Sequence, residues 1–328
     1  MSHSLKHVNL SSLESEVCDM KQHPISIVIP THNRKEKLVR LIQTVLDSDY
    51  GNDKLEIVVI DDASTDGTLE FISAAFPRVR VVRNVNERWV SSCRNTGARN
   101  SSNDFILFLD DDNIIKKNMI SELVKGMEML PHAGVIGPVG VYYKTDVIWS
   151  AGSFHNMLTG KTNSPFAGRP IREIEGYQYF EVDDIPNCML VRKDIMFSRS
   201  VFFNEHSFPI HMEESDFCAR IRQLGYQIVI WPKAITWHDL RSDTIPGMDG
   251  GTRSYYFCRN KLLFHRKYSN KLTFSLFVIF FIWLDVLLRI SLIVTIEDRD
   301  RRVLILRSLL SGILSGLAGS LFSSPSEI

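Results

Sequence analysis

Neither sign of charge is in excess, since Lys and Arg together number 38 and so do Asp and Glu. A chain with no net field gives no reason to expect a nucleic-acid partner. Cysteine in metal-binding or framework spacing is also missing. Cys18, Cys93, Cys188, Cys218 and Cys258 are scattered, odd in number, and form no CxxC or Cys/His cluster. That pattern fits a reduced, cytosolic environment. No internal repeat or low-complexity stretch is present, which sets solenoids aside. The opening residues are mixed polar, with Glu14, Glu16 and Asp19. They lack the charged-then-apolar run of a signal peptide, and residues 1–23 read as a flexible or loosely docked extension.

From Ile25 onward, short β-branched runs alternate with helical periodicity. Ile25 to Ile29, Leu55 to Ile60, Val79 to Val82 and Phe105 to Leu109 read as strands. Glu36 to Leu46 carries Leu38, Leu41, Ile42 and Val45 at helical spacing. Continuously apolar strands with helices between them predict an α/β domain. Its sheet would be mostly parallel, covered on both faces and joined by right-handed crossovers. Val135 to Val141, Asp146 to Ser150 and Asn187 to Val191 add strands. The Gly-, Pro- and Asn-rich stretch from Gly152 to Asp184 reads as long loops. Glu213 to Leu224 is a helix stopped by Gly225, and Gln227 to Trp231 a further strand.

Three acidic clusters fall where such a fold exposes strand ends, which is where ligands bind. IVVIDDASTDG (Ile57 to Gly67) places Asp62 to accept hydrogen bonds from a nucleobase or ribose, and Asp66 to cap the next helix. FILFLDDDN (Phe105 to Asn113) puts three aspartates after a buried strand, where they would repel one another without a cation. Hard oxygen ligands suit Mg²⁺ or Mn²⁺ bridging a diphosphate, with Asp110 and Asp112 as candidate ligands. HMEESDFCARIRQLG (His211 to Gly225) sets Glu213, Glu214 and Asp216 at a helix start. They serve there either as capping acids favoured by the helix dipole or as a general base for a sugar hydroxyl. Glu214 is the preferred base, with Glu213 second. His238 would face the metal from the end of the following connector. Arg94, on the helix before the fourth strand, could reach phosphate.

These segments resemble family 2 of the inverting glycosyltransferases, which have the GT-A fold. The similar stretches are SIVIPTHNR (Ser26 to Arg34), VVIDDASTDGT (Val58 to Thr68) and CRNTGARNSSNDFILFLDDDN (Cys93 to Asn113). NCMLVRKD (Asn187 to Asp194), EESDFCARIRQLGY (Glu213 to Tyr226), His238 and YYFCRNKLLFHRKY (Tyr255 to Tyr268) follow. Together they cover about residues 24–270. The resemblance implies that Pro30, Thr31 and Asn33 meet the nucleotide at the first strand end, and that Asp62 holds the nucleobase. It turns Asp111 toward ribose and Asp112 toward metal, and makes Glu214 the usual base, with EE here where the family commonly has ED. Two departures stand out. The glycine usual after the asparagine near residue 86 gives way to Arg88 and Trp89, and the acceptor-side glycine is Asn187. The QxxRW motif of processive synthases is missing, so transfer of a single sugar is expected. A nucleotidyltransferase would want a glycine-rich basic loop after the first strand, where THNRKEK stands; a non-catalytic sugar-nucleotide binder would not need Glu213 and Glu214.

The end of the chain differs in kind. Leu272 to Ile296 has only Asp285 and Arg289 charged, and Val303 to Phe322 is a second apolar stretch. At about 1.5 Å per residue each could reach across a ~30 Å hydrocarbon layer. Five basic residues and no acid lie between Arg259 and Lys271. The expected organisation is an extension (1–23), a GT-A domain (24–270) and membrane-associated helices (271–328). Membrane contact is expected through residues 259–322, on the cytoplasmic side. The expected partners are a nucleotide-diphosphate sugar as donor, a glycan or polyprenyl-linked acceptor, and a second copy of the chain through the C-terminal helices.

Overall fold

A computed structural model describes residues 23–239, 250–296 and 298–322, without the side chains of residues 285 and 320–322. The expected extension falls almost wholly outside these residues, and so does Cys18. Among the described residues the other four cysteines are buried and form no disulfide.

The first strands alternate with helices: β1 (Ile25–Thr31), α1 (Lys35–Leu46), β2 (Leu55–Asp61), α2 (Thr68–Ala75), β3 (Arg80–Arg83), α3 (Trp89–Arg99) and β4 (Phe105–Leu109). Then come β5 (Asn113–Ile115), α4 (Met119–Met129), β6 (Ala133–Tyr142), β7 (Ile148–Ser150), β8 (Phe154–His155), β9 (Thr162–Asn163), β10 (Phe180–Glu181), β11 (Cys188–Arg192) and α5 (Lys193–Ser198). α6 (Glu213–Gln223), β12 (Gln227–His238), α7 (Gly250–Tyr268), α8 (Lys271–Leu276), α9 (Ile282–Ile293) and α10 (Arg299–Phe322) complete the chain.

The chain divides into two units. Of the described residues, one holds 23–154, 164–203 and 217–239; the other holds 155–163, 204–216, 250–296 and 298–322. The first is built on one sheet in the order β10-β12-β6-β11-β4-β1-β2-β3. Its β3-β2-β1-β4 half is parallel throughout. β11 enters antiparallel between β4 and β6, and the sheet is mixed from there on. Alternation along the central strands feeds two cores. Ile25, Ile27 and Ile29 point to the layer of α1 and α4, while Val28, Val58 and Phe108 point to the layer that holds Cys93, Phe203 and Phe217. Both faces are thus dry, which is why these strands read as unbroken apolar runs.

β12 is longer than its sequence suggests. Pro232 reads as a stop, yet pairing with β6 resumes beyond it. Ile230 stands opposite Gly137 and Ile235 opposite Val139, so β12 carries extra residues between the two pairs. A bulge absorbs a proline that a regular ladder would not accept. Past the bulge β12 also pairs with β5, with His238 opposite Asn113.

The second unit is helical. Five π-helical residues, Phe277–Phe281, join α8 to α9. α10 packs on α7 through small residues. A Cβ on Gly312 would lie 2.4 Å from the Tyr255 carbonyl oxygen, and one on Gly316 would lie 3.0 Å from the Arg259 backbone. Cys258, Leu262, Phe277, Ile282, Val286, Ile305, Leu309 and Ile313 form its core. Lys271–Ile293 and Arg299–Gly319 are long and apolar enough to cross a membrane.

Candidate active site

The carboxyl edge of the parallel strands carries the acids. β1 ends at Thr31 and β4 stops just before Asp110, so the parallel pairing of these strands places their following loops side by side. Thr31 Oγ1 donates to Asp111 Oδ2 at 2.8 Å. Arg34, in the turn after β1, donates through one guanidinium nitrogen to Asp111 Oδ1 at 3.0 Å and to Asp112 Oδ2 at 3.2 Å. The Arg34 side chain is 16 % exposed and that of Asp111 5 %. Burial opposes the Arg34 charge, but Asp111 and Asp112 outweigh it and hold the guanidinium above its ordinary pKa. Burial drives the Asp111 carboxyl the other way, well above the usual carboxylate range, against the pull of Arg34.

Asp112 is held low. Burial raises it, yet His238 and Arg34 together more than offset that. The neighbour His238 arrives by register, because residues 110–112 lead straight into β5, and β5 pairs Asn113 with His238. His238 Nε2 lies 3.3 Å from Asp112 Oδ1. Asp112 Oδ1 and His238 Nδ1 are both buried without a hydrogen-bond partner. Asp112 Oδ1 and His238 Nε2, 3.3 Å apart, are both of atom types that ligate divalent cations. Asp110 is placed differently. Its Oδ1 accepts from Arg94 at 2.8 Å. Among the described residues no three His, Cys, Asp or Glu side chains converge as a metal cluster; Asp112 and His238 stand as a facing pair.

Arg94, expected at a phosphate, is 1 % exposed. Its guanidinium lies 5.3 Å from the centroid of Phe203 while bonding Asp110, which makes it an organiser of the acid loop. Asp62 is similarly occupied. It accepts from Asn84 Nδ2 at 2.7 Å, from the Arg88 N–H at 2.9 Å and from the Trp89 N–H at 2.9 Å. Three donors on one carboxylate fix the loop from residue 84 to 89. Trp89 has φ 65°, the left-handed region, near where the resemblance leads one to expect glycine. Asn187 has φ 75°, and asparagine tolerates that conformation better than most residues. Its carbonyl accepts the Asp110 N–H at 3.1 Å. Asn33, with φ 52°, uses Oδ1 to accept the Thr65 N–H at 2.7 Å, which ties the turn after β1 to the turn after β2. Pro30 lies within β1 opposite Ile60. Asp66 is a turn and cap residue, accepting from Lys35 and Thr68 N–H groups at 3.1 Å each.

Beside the Asp112–His238 pair a recess is lined by Asn113, Trp149, Ser150, Asn187, Thr236 and His238. The Trp149 and His238 rings meet edge to face with centroids 4.3 Å apart. Trp149 carried no sequence signal as a site residue.

The acid turn at the start of α6 belongs to the helical unit through Asp216. His211 and Met212 both have positive φ, 59° and 65°, so two consecutive left-handed residues launch α6. α7 braces this turn. Asn260 Nδ2 donates to the carbonyls of Ile210 and His211 at 2.6 and 2.9 Å, and Arg259 donates to the Ser207 carbonyl at 2.8 Å. Asp216 is fully buried and accepts from the Tyr268 hydroxyl at 2.7 Å. Lys267 Nζ is 2.9 Å from the same oxygen. Glu213 is 6 % exposed, whereas Glu214 is half-buried. Of the three acids, Glu214 therefore has the greatest access to an incoming hydroxyl. Arg259 and Asn260 sit inside a segment the sequence marks as familiar, but their role needs the fold to be seen.

Comparison with known proteins bears on the family and the fold. The family described as "Glycosyl transferase family 2" matches residues 26–202, more than half of the chain. Glycosyltransferase GlyG of Streptococcus pneumoniae is 33 % identical over 140 residues, 42 % of this chain and 44 % of that protein. Probable glycosyltransferase YdaM of Bacillus subtilis is 26 % identical over 227 residues, 67 % of this chain and 51 % of the relative. The match thus spans about half the length of these curated relatives. Among solved structures, the mannosyltransferase PcManGT of Pyrobaculum calidifontis, in complex with GDP-Man and Mn²⁺, superposes with TM-score 0.52 at 14 % identity, covering 92 % of this chain and 88 % of the other. TarS of S. aureus in complex with UDP-GlcNAc gives TM-score 0.54 at 15 % identity, covering 89 % and 81 %. At these identities the likeness is one of fold, and the fold is GT-A.

Proposed function

The chain belongs to glycosyl transferase family 2, and from that premise we propose that it transfers one sugar from a nucleotide-diphosphate sugar to an acceptor hydroxyl, with inversion at C1. The observation that carries this reading is the buried Asp112–His238 pair at the carboxyl edge of β4, with Arg34 and Thr31 holding the neighbouring Asp111. Asp112 and His238 are the residues that would hold Mg²⁺ or Mn²⁺; when bound, such a cation supplies Lewis-acid stabilisation of the departing diphosphate. Asp110 and Asp111, fixed by Arg94, Thr31 and Arg34, bring further negative charge to the same place and keep the loop in one conformation. The loop from residue 84 to 89, held by Asp62, forms the wall for the nucleobase, and Pro30, Thr31 and Asn33 border the nucleotide.

Glu214 is the base. It takes the proton from the acceptor hydroxyl while that oxygen forms its bond to C1. The bond from C1 to the diphosphate oxygen breaks on the opposite face, and the electron pair leaves with the nucleoside diphosphate. Little covalent chemistry falls to the protein, so positioning matters most. The braces from Asn260 and Arg259 to the turn before α6 are the positioning elements for the base. The two apolar helices support a membrane-associated protein acting on a lipid-linked acceptor, such as a polyprenyl-phosphate saccharide.

Turnover against a panel of nucleotide sugars, with a polyprenyl-phosphate-linked acceptor and Mn²⁺, tests the proposal. Transfer is expected with one donor and is abolished by Asp112→Ala or by excess chelator. Full activity in chelator removes the cation from the scheme. Absence of both transfer and donor hydrolysis across the panel, with the protein folded, overturns the reading as a whole.

A further inference from the structure

The packing of the helical unit shows how its apolar helices are held. α10 does not stand alone. Ile305, Leu309, Ile313 and the glycines at 312 and 316 press it onto α7 along most of its length, and the Tyr255 hydroxyl donates to Ser315 Oγ at 3.1 Å. α7 is a helix of the water-facing machinery. It carries Arg253, Arg259, Lys261, Arg266 and Lys267, and it hydrogen-bonds the backbone of Ser207, Ile210 and His211 as well as the buried Asp216. If α10 crossed a bilayer in this packing, α7 would have to follow, bringing its cations and the acid turn into hydrocarbon, which is costly.

α9 is held in the same way. Phe277, Ile282, Val286 and Ile293 face inward, and the Arg289 guanidinium lies 3.3 Å from the Phe257 ring centroid on α7. The opposite side of α9 and of the π-helical turn before it exposes Ile279, Phe280, Trp283, Leu284, Leu287, Leu288 and Leu292. Their spacing follows the helical period, giving one continuous apolar stripe. α10 adds exposed Val303, Leu304, Leu310 and Leu314. An exposed apolar area of this extent marks an interaction surface. Arg299, Arg301, Arg302 and Arg307 lie on α10, against Asp298 and Asp300 at its start. Cations beside an apolar stripe that bears a tryptophan match a bilayer with anionic head groups.

We infer that α9 and α10 lie in the plane of one leaflet, with the apolar stripe immersed and the arginines at the phosphates, and that neither helix crosses. The inference rests on the membrane association proposed above and replaces two spans by a monotopic seat. Its topological consequence is that residues 294–296 and the start of α10 stay on the same side as the acid turn.

The test uses the full-length chain in native membranes, prepared as sealed vesicles of each orientation. Single cysteines are introduced at two exposed positions of this unit, His206→Cys beside the acid turn and Asp300→Cys at the start of α10, and a membrane-impermeant maleimide is applied with the parent chain as baseline. Both positions are expected to label from the same side and to equal extents. Labelling of Asp300→Cys only from the side opposite His206→Cys means that α9 spans, which overturns the inference and leaves membrane association standing. Flotation with vesicles of phosphatidylglycerol and phosphatidylcholine gives the second readout. Leu284→Asp with Leu288→Asp, both at exposed positions, should reduce flotation, and added phosphatidylglycerol should increase that of the parent. Recovery of the full chain as a soluble dimer that ignores vesicles means that a second copy covers the stripe, and both the inference and the membrane reading then fail.

Discussion

Replacing Arg34 by methionine isolates what one guanidinium does for three consecutive acids. Arg34 bridges Asp111 and Asp112 at 3.0 and 3.2 Å, with all three side chains less than a fifth exposed. At an effective dielectric near 20, each contact is a gross attraction on the order of 5 kcal/mol. Desolvation of the three groups cancels much of that gain, so the net worth of the cluster is far smaller. Removal of one partner is not symmetrical with formation, because it strands two buried carboxylates. The expected cost is about 3–5 kcal/mol. At ~2–4 °C per kcal/mol for a domain of this size class, the apparent melting temperature should fall by roughly 6–20 °C in metal-free buffer. Mn²⁺ should then restore more stability to Arg34→Met than it adds to the parent, since the cation replaces the missing charge. A ligand at about a hundred times its dissociation constant contributes ~2.7 kcal/mol. Differential scanning fluorimetry with and without Mn²⁺ reads both effects. A variant as stable as the parent in chelator, or one indifferent to Mn²⁺, would refute the view that Arg34 compensates the acids.

Glu214→Gln should lower transfer by ~10²–10⁴-fold while leaving donor affinity nearly unchanged in calorimetry; if Glu213→Gln is the inactive variant, the two roles are exchanged. His211 and His265 are buried, which lowers both to about 4, and nearby cations push the same way. A histidine with a depressed folded pKa gives its full stability above the unfolded value near 6.5 and loses it as pH falls toward 4. Each should therefore cost on the order of 3 kcal/mol across that window. Urea unfolding at pH 7 and pH 4.5 measures the loss, and equal midpoints contradict the burial argument. At position 89, Trp89→Gly should be more stable than Trp89→Ala by about 1 kcal/mol, because only glycine adopts φ 65° without strain; an alanine variant of equal stability would show that the loop relaxes.

The parallel half of the sheet was legible because dry strands and periodic helices leave strong local patterns. β1, β2 and β4 start and end within about two residues of the sequence reading. The position of the acids was legible too, since they follow directly on the apolar run Phe105–Leu109 that forms β4. What failed to show was long-range. Pro232 hid the second half of β12, because a bulge is a property of the pair of strands and not of one. Arg94 read as a phosphate ligand by default. The small residues around it, Ser91, Ser92, Cys93 and Ala98, are the trace of a packed helix face and could have argued for burial. Arg34 stood in a quoted motif, but its partners lie 77 and 78 positions away. Asn260 braces carbonyls 49 and 50 positions back. No window of sequence spans such distances. Legibility therefore ended where function began to depend on who meets whom.

The irregular stretch of β12 acts as a reading frame in space. Val229, Trp231 and Ala234 share one core, whereas Ile228, Ile230 and Ile235 share the other. The odd and even positions therefore change places between Trp231 and Ala234. His238 falls with Ala234 and Thr236 only because of that switch. A regular strand of the same residues would turn His238 to the face of Ile228 and Ile230, since alternation without the bulge keeps all even positions together. The imidazole beside Asp112 would then be lost without any change to the acids themselves.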